Sequence, residues 1–299
     1  MKNISRRRFI RNGTAGMAGL AALGAIPGIT SCSRDTMVDM VDLGRSGIKV
    51  PRIAFGTGTF GWKHESNQLH MGREAFVDLA KYCYDKGIRF LETADMYGTH
   101  EHVGAALKEF PRENVTVLTK VMTFNIGGWF NPIPFDKTLD QFRRELQTDY
   151  IDIMLLHALD TPNWPEDNKY YMDALSEAKQ KGIIKTIGMS AHSPAAMLTA
   201  AEHPWVEVIM ATLNHKGPRM GGTPSETTPI LRKACENGKG VIGMKLFGCT
   251  QLVEEQEREE SLNYVLNGGG VHCVTLGMEH IHEVDDNVER VMRIVNGRA

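Results

Sequence analysis

The sequence predicts a single closed (β/α)8 TIM barrel preceded by a short β-hairpin, and two observations carry that expectation. From Arg52 onward, a short apolar run, a polar loop and an amphipathic stretch recur roughly every 30 residues, the length of a βαβ unit. Four of the eight helical stretches then stop in a Lys-Gly or Asn-Gly pair just before the next apolar run: Lys86-Gly87, Lys181-Gly182, Asn237-Gly238 and Asn267-Gly268. A glycine past a helix end takes up the left-handed conformation that closes it.

The chain has 299 residues, 42% of them apolar and 23% charged, with a net charge of -2 and no long run of one sign. A nucleic-acid partner needs a basic face, and the sequence offers none, so nucleic acid is not expected.

The first segment is unlike the rest. Ser5-Arg6-Arg7-Arg8-Phe9-Ile10 opens it, and an Ala/Gly-rich apolar stretch follows from Met17 to Ile29. That stretch is shorter than the roughly 20 apolar residues needed to cross a bilayer. Paired arginines before a weakly apolar centre resemble a twin-arginine export signal. Gly28-Ile29-Thr30-Ser31-Cys32 resembles a lipoprotein processing box, with Cys32 as the lipidated residue. A plain signal-peptidase cut nearby is the alternative. Residues 1–32 are therefore expected to be a signal peptide read by the twin-arginine machinery. The mature protein is expected in the periplasm or held on a membrane face by a lipid anchor. Residues 37–299 are expected to form the barrel.

Five cysteines are present: Cys32, Cys83, Cys235, Cys249 and Cys273. They lack the spacing of a zinc site, so no metal is expected. The four beyond the signal are expected to be small unbridged side chains.

Met37 to Val50 reads as the hairpin, alternating about Gly44-Arg45-Ser46-Gly47. The predicted strands are Ile53–Thr57, Arg89–Glu92, Val115–Lys120, Ile151–His157, Thr186–Ser190, Val206–Thr212, Val241–Lys245 and Val271–Leu276. The predicted helices are Glu74–Lys86, Glu101–Phe110, Asp136–Leu146, Tyr170–Lys181, Pro194–Glu202, Thr228–Asn237, Glu254–Leu266 and Glu283–Val295. An open doubly wound sheet would need a glycine-rich turn leading into a helix after its first strand. Gly56-Thr57-Gly58-Thr59 leads into Phe60 and Trp62 instead.

Active sites of such barrels lie at the carboxyl ends of the strands. There, Phe90-Leu91 runs into Glu92, Val117-Leu118-Thr119 into Lys120, and Met154-Leu155-Leu156 into His157, with Tyr97 five residues after Glu92. A carbonyl that accepts hydride becomes an alkoxide and needs a proton donor in place. A phenol, with a pKa near ~10, needs a neighbouring cation to release its proton near neutrality. Lys120 would be that cation, Glu92 its counter-ion, and His157 a hydrogen-bond donor to the carbonyl oxygen. Taken singly, each residue also fits an ion-paired or packed role. Together at successive strand ends they point to a site.

The segment Phe90-Leu91-Glu92-Thr93-Ala94-Asp95-Met96-Tyr97-Gly98, then Val103-Gly104-Ala105-Ala106-Leu107, resembles the aldo-keto reductase family. Leu118-Thr119-Lys120, Asp152 to His157, and Leu43-Gly44 through Gly58-Thr59 resemble the same family in the same order. The resemblance implies that Tyr97 is the general acid, Lys120 the partner that lowers its pKa, and His157 the orienting residue. It implies cofactor contacts at Thr57, Ser190, Met210, Met244, Lys245, Leu246, Gly277, Met278 and Asn287, with Lys245 at the pyrophosphate and Asn287 at the adenine. The chain departs from the family pattern in four places. Glu92 replaces the usual Asp, with Asp95 a substitute candidate, while Ala191 and Met210 replace amides and Met244 replaces an aromatic ring.

NADPH is the family default, but Glu279 and Glu283 stand where basic residues would grip a 2′-phosphate, which leans toward NADH. Trp62, Trp129 and Trp164 are candidate substrate contacts for a sugar or an apolar carbonyl. The leading expectation is thus a nicotinamide-dependent oxidoreductase interconverting a carbonyl and an alcohol, and export from the free cofactor pool suggests a cofactor that stays bound and cycles between two substrates. The alternative is an exported inactive barrel that binds glycans or partner proteins.

Overall fold

Near-continuous apolar runs along the strands bury both faces of the sheet, as in β-strands covered by helices on one side and closed on themselves on the other. The computed structural model describes residues 37–297; the expected signal and Cys32 lie outside the described residues. A hairpin comes first, β1 (Met40–Asp42) pairing antiparallel with β2 (Lys49–Pro51). Eight parallel strands follow: β3 (Ile53–Gly56), β4 (Phe90–Glu92), β5 (Thr116–Val121), β6 (Ile151–Leu156), β7 (Ile184–Ala191), β8 (Val208–Thr212), β9 (Gly240–Met244) and β10 (Cys273–Gly277). They close in sequence order, with β10 against β3.

The helices are α1 (Asn67–His70), α2 (Arg73–Asp85), α3 (His100–Leu107), α4 (Phe135–Leu146), α5 (Trp164–Asp167), α6 (Lys169–Gln180), α7 (Pro194–Glu202), α8 (Pro224–Glu236), α9 (Glu255–Gly268) and α10 (Ile281–Asn296). The single-turn helices α1 and α5 are too short for a periodicity to announce them. In α4, Phe135, Thr138, Leu139, Phe142 and Leu146 are buried, the i, i+3, i+4, i+7 stripe of a helix lying on a core. The α8 helix starts four residues before its apolar pattern. Thr223 accepts from the Glu226 amide, and Glu226 bonds back, which caps the helix with Pro224 in its first turn.

Two cores result from the period of two along the strands. Leu91, Val117, Met154, Ile187, Ile209 and Val274 pack outward against the helices. Ala54, Phe90, Leu118, Ile153, Val208, Ile242 and Cys273 fill the barrel interior. The hairpin plugs the amino-terminal end of that interior with Leu43 and Val50, both fully buried. Gly44, at φ +56°, lies so close to β9 that a Cβ there would stand 2.5 Å from the Gly240 nitrogen. The four cysteines among the described residues are unbridged, Cys83 and Cys273 buried and Cys235 and Cys249 half-buried.

If Leu43 plugs the barrel, Leu43→Ala should lower the unfolding free energy by about 3 kcal/mol in urea titration. A loss below about 1 kcal/mol would mean that the hairpin packs only peripherally.

Candidate active site

Each interior strand position two residues above a core apolar side chain points the same way, toward the carboxyl end of the barrel. Phe90 thus lifts Glu92, Leu118 lifts Lys120, and Leu155 lifts His157, which follows β6 directly and donates its amide to the Val121 carbonyl at 2.9 Å. Tyr97 arrives in a short 3-10 helix, Asp95–Tyr97, after β4.

These four side chains meet. Lys120 is fully buried; its Nζ donates to Glu92 Oε1, to the Thr93 carbonyl at 2.8 Å and to Tyr97 Oη at 3.2 Å. The Tyr97 and His157 rings stand edge to face, 5.9 Å apart. Among the described residues His157 Nδ1, which is buried, has no hydrogen-bond partner, so the imidazole has capacity left for an incoming group.

Burial decides the protonation states. It pushes the Tyr97 phenol well above its ordinary value, and the Glu92 and Cys249 charges act in the same direction. It pushes the Lys120 ammonium down, against the opposing pull of Glu92. It pushes His157 well below the usual range, helped by Lys120, His192 and Lys245. The net direction for the phenol is thus upward, set first by burial. At neutral pH the phenol carries its proton and the imidazole is neutral, so both can donate a hydrogen bond.

The loop after β3 holds the acid in place. Cβ atoms at Gly58 and Gly61 would lie 2.4 and 2.3 Å from Tyr97 ring carbons, so only glycines leave room for this ring. Backbone strain gathers at the same end. Among the described residues, nine non-glycine residues have positive φ, and eight of them lie in loops after strands: Phe60, Lys63, His64, Ala158, Arg219, Lys245, Cys249 and Thr250. Such conformations persist where the surrounding structure over-determines them, typically at functional sites.

The other expected contacts divide. Ser190 accepts the Ala158 amide at 2.9 Å and keeps its hydroxyl proton free to donate. Met210 and Met244 both turn into the interior beneath the mouth. Lys245 leaves β9 in a left-handed conformation, and among the described residues no carboxylate pairs with its ammonium. Gly277 is exposed at the end of β10. Leu246 and Met278 are buried, so they offer backbone rather than side chain, and both of their carbonyls already accept, from Ser261 at 2.6 Å and Gln68 at 3.3 Å. Asn287 is buried with its amide oxygen on Arg258 at 3.3 Å. A donating hydroxyl, an unpaired ammonium and a residue without a side chain suit a dinucleotide, so the donor set fits a nicotinamide cofactor in kind.

Three expectations are corrected. Thr57 is fully buried with its hydroxyl 2.7 Å from that of Thr99, away from the mouth. Trp164 is 1% exposed and packs on His203 and Trp205 in the outer core, so it is no substrate contact. Asp95 faces His64, 3.8 Å away, and leaves Lys120 to Glu92. Trp62 and Trp129, by contrast, are both exposed and stack at 6.4 Å, with His64 against Trp129 at 5.4 Å.

Sequence reasoning missed the glycine vise around Tyr97, the Thr275 hydroxyl 3.0 Å from Glu92 Oε2, and His192, whose Nδ1 lies 2.6 Å from Thr212 Oγ1. Applying the period of two to β10 and β8 would have turned Thr275 and Thr212 inward.

His157 is held neutral in the fold, and burial lowers His192 to about 4. Unfolded imidazoles take up protons near pH ~6.5, so below that pH the unfolded chain binds more protons and stability falls as pH drops toward about 4. Melting wild type and His157→Gln at pH 7.5 and pH 5 should show a smaller acid loss in the variant. Equal losses would mean that His157 titrates freely.

The model of the family described as aldo/keto reductase matches residues 52–291. Probable aldo-keto reductase 1 of Glycine max is 31% identical over 75% of this chain, and the match spans just under two thirds of that relative, 65%. L-galactose dehydrogenase of Arabidopsis thaliana is 29% identical over 87% of this chain and 90% of its own length. Among solved structures, an aldo-keto reductase from Pseudomonas aeruginosa has a TM-score of 0.71 at 23% identity, covering 88% of this chain and 98% of that one, which shows the shared fold. With the family match running across most of the barrel, the chain belongs to the aldo/keto reductase family.

Proposed function

We propose that the protein is an exported reductase of hydroxylated, sugar-like aldehydes or ketones that prefers NADH. The observation that carries the reading is the contact between proton donor and cation: Tyr97 Oη stands 3.2 Å from Lys120 Nζ, with the His157 ring beside the phenol.

When bound, a reduced nicotinamide supplies the hydride that adds to the carbonyl carbon. Tyr97 gives its phenol proton to the carbonyl oxygen as the alkoxide develops. Lys120 stabilises the tyrosinate left behind, and Glu92 with the Thr93 carbonyl keeps the ammonium aimed at it. Neutral His157 donates to the carbonyl oxygen and sets its angle. Ser190 would hold the carboxamide end of the cofactor and Lys245 its pyrophosphate.

The preference for NADH rests on the start of α10. Glu283 Oε2 accepts the amides of Glu279 at 2.6 Å and His280 at 3.1 Å, so a carboxylate already fills the backbone nest that an anion would use. A 2′-phosphate there would meet like charge. The stacked, exposed Trp62–Trp129 pair gives a flat aromatic rim suited to the C–H face of a sugar ring. The likeness to a dehydrogenase of L-galactose agrees with that substrate class. Export rests on the arginine-led segment and Cys32. Outside the cytoplasm a tightly held cofactor would cycle between two substrates.

Heating the purified protein with each nucleotide tests the reading. NADH is expected to raise the melting temperature more than NADPH does, and Glu283→Gln to narrow that difference. No stabilisation by either nucleotide would leave a binding-only barrel. Tyr97→Phe should keep the NADH shift while lowering kcat by roughly a hundredfold or more, and unchanged turnover would refute the acid role.

A further inference from the structure

The structure assigns a positioning role to Thr275 and Gly56, which together fix the carboxylate that holds Lys120. Glu92 is almost fully buried and uses its two oxygens differently: Oε1 receives Lys120, while Oε2 receives the Thr275 hydroxyl at 3.0 Å. Thr275 lies on β10 and Glu92 on β4, with β3 between them in the barrel. The hydroxyl therefore reaches across a whole strand.

It can do so because the intervening residue, Gly56, has no side chain. Gly56 pairs in register with Glu92, and a Cβ on it would lie 2.8 Å from Thr275 Oγ1 and 3.2 Å from Glu92 Oε2. The missing Cβ is the gap through which the hydrogen bond passes. The length of Glu92 completes the span.

The terminal torsion of a glutamate is broad and weakly restrained. Held at one oxygen only, a buried carboxylate would be free to rotate, and its second oxygen would lose its partner in a water-poor interior. Held at both, it keeps Oε1 on Lys120, and Lys120 in turn stays on the Tyr97 oxygen. Thr275 touches neither substrate nor cofactor in this account; it acts through Glu92. The inference rests on the redox reading for its kinetic consequence, but not for the geometry.

The test uses the full barrel with NADH and methylglyoxal as the probe carbonyl, together with crystal structures of wild type and Thr275→Val. Thr275→Val should lower kcat roughly tenfold, leaving KM and the NADH-induced melting shift unchanged, with the Glu92 carboxylate rotated away from its wild-type orientation. Thr275→Ser, which restores the hydroxyl, should recover most of kcat. Gly56→Ala, which fills the gap without touching either partner's chemistry, should reproduce the loss and serves if Thr275→Val does not fold. Wild-type kcat in Thr275→Val, or a lowered kcat with Glu92 unmoved, overturns the assignment. If wild type neither binds a nicotinamide nor reduces the probe, the redox reading fails separately, and the orientation of Glu92 in the variant crystal still decides the role of Thr275.

Discussion

A lysine ammonium carries three N–H donors, and in this barrel all three are answered in the dry interior: a carboxylate oxygen of Glu92, the Thr93 carbonyl and the Tyr97 phenol. Burying a lone charge costs several kcal/mol, so the arrangement persists only because every donor is met and the charge is paired. The position of the phenol and the use of Glu92 follow from where this cation sits, while burial first, with Lys120 adding to it, keeps His157 neutral.

The barrel provides that place through its register. Three neighbouring strands raise a core side chain and then, two residues on, a polar one, so the interior changes from oil to charge within a single layer. Around this layer the loops are forced into left-handed conformations at residues that ordinarily avoid them, and two glycines close on the phenol ring from the loop after β3. The same end of the molecule thus holds both the chemistry and the strain. The hairpin stoppers the opposite end with apolar side chains, leaving one mouth at the carboxyl ends of the strands.

The eight βα units were legible because strand and helix periods differ and glycine stops recur; Pro194–Glu202 coincides with α7. The four central residues were legible because each ends or follows a strand whose apolar run is unmistakable. Short helices were not, since one turn has no period to read. Trp164 misled because a loop position says nothing of which way a large ring packs, and here it turned into the outer core. Thr57 misled similarly: its side chain points to the threonines beneath α3 rather than to the mouth. Thr275 escaped because a hydroxyl on a distant strand gains meaning only once the barrel closes and brings β10 to within one strand of β4.

Coupling between Glu92 and Lys120 is the most direct measure of this account. Unfolding free energies and NADH-dependent methylglyoxal reduction can be compared for wild type, Glu92→Gln, Lys120→Met and the double variant. Removing Glu92 alone should destabilise the barrel by about 3 kcal/mol by stranding a buried ammonium, and adding Lys120→Met should restore much of that loss while activity stays absent in all three variants. Additive stability effects, or turnover surviving without Lys120, would contradict a buried cation as the keystone of the site.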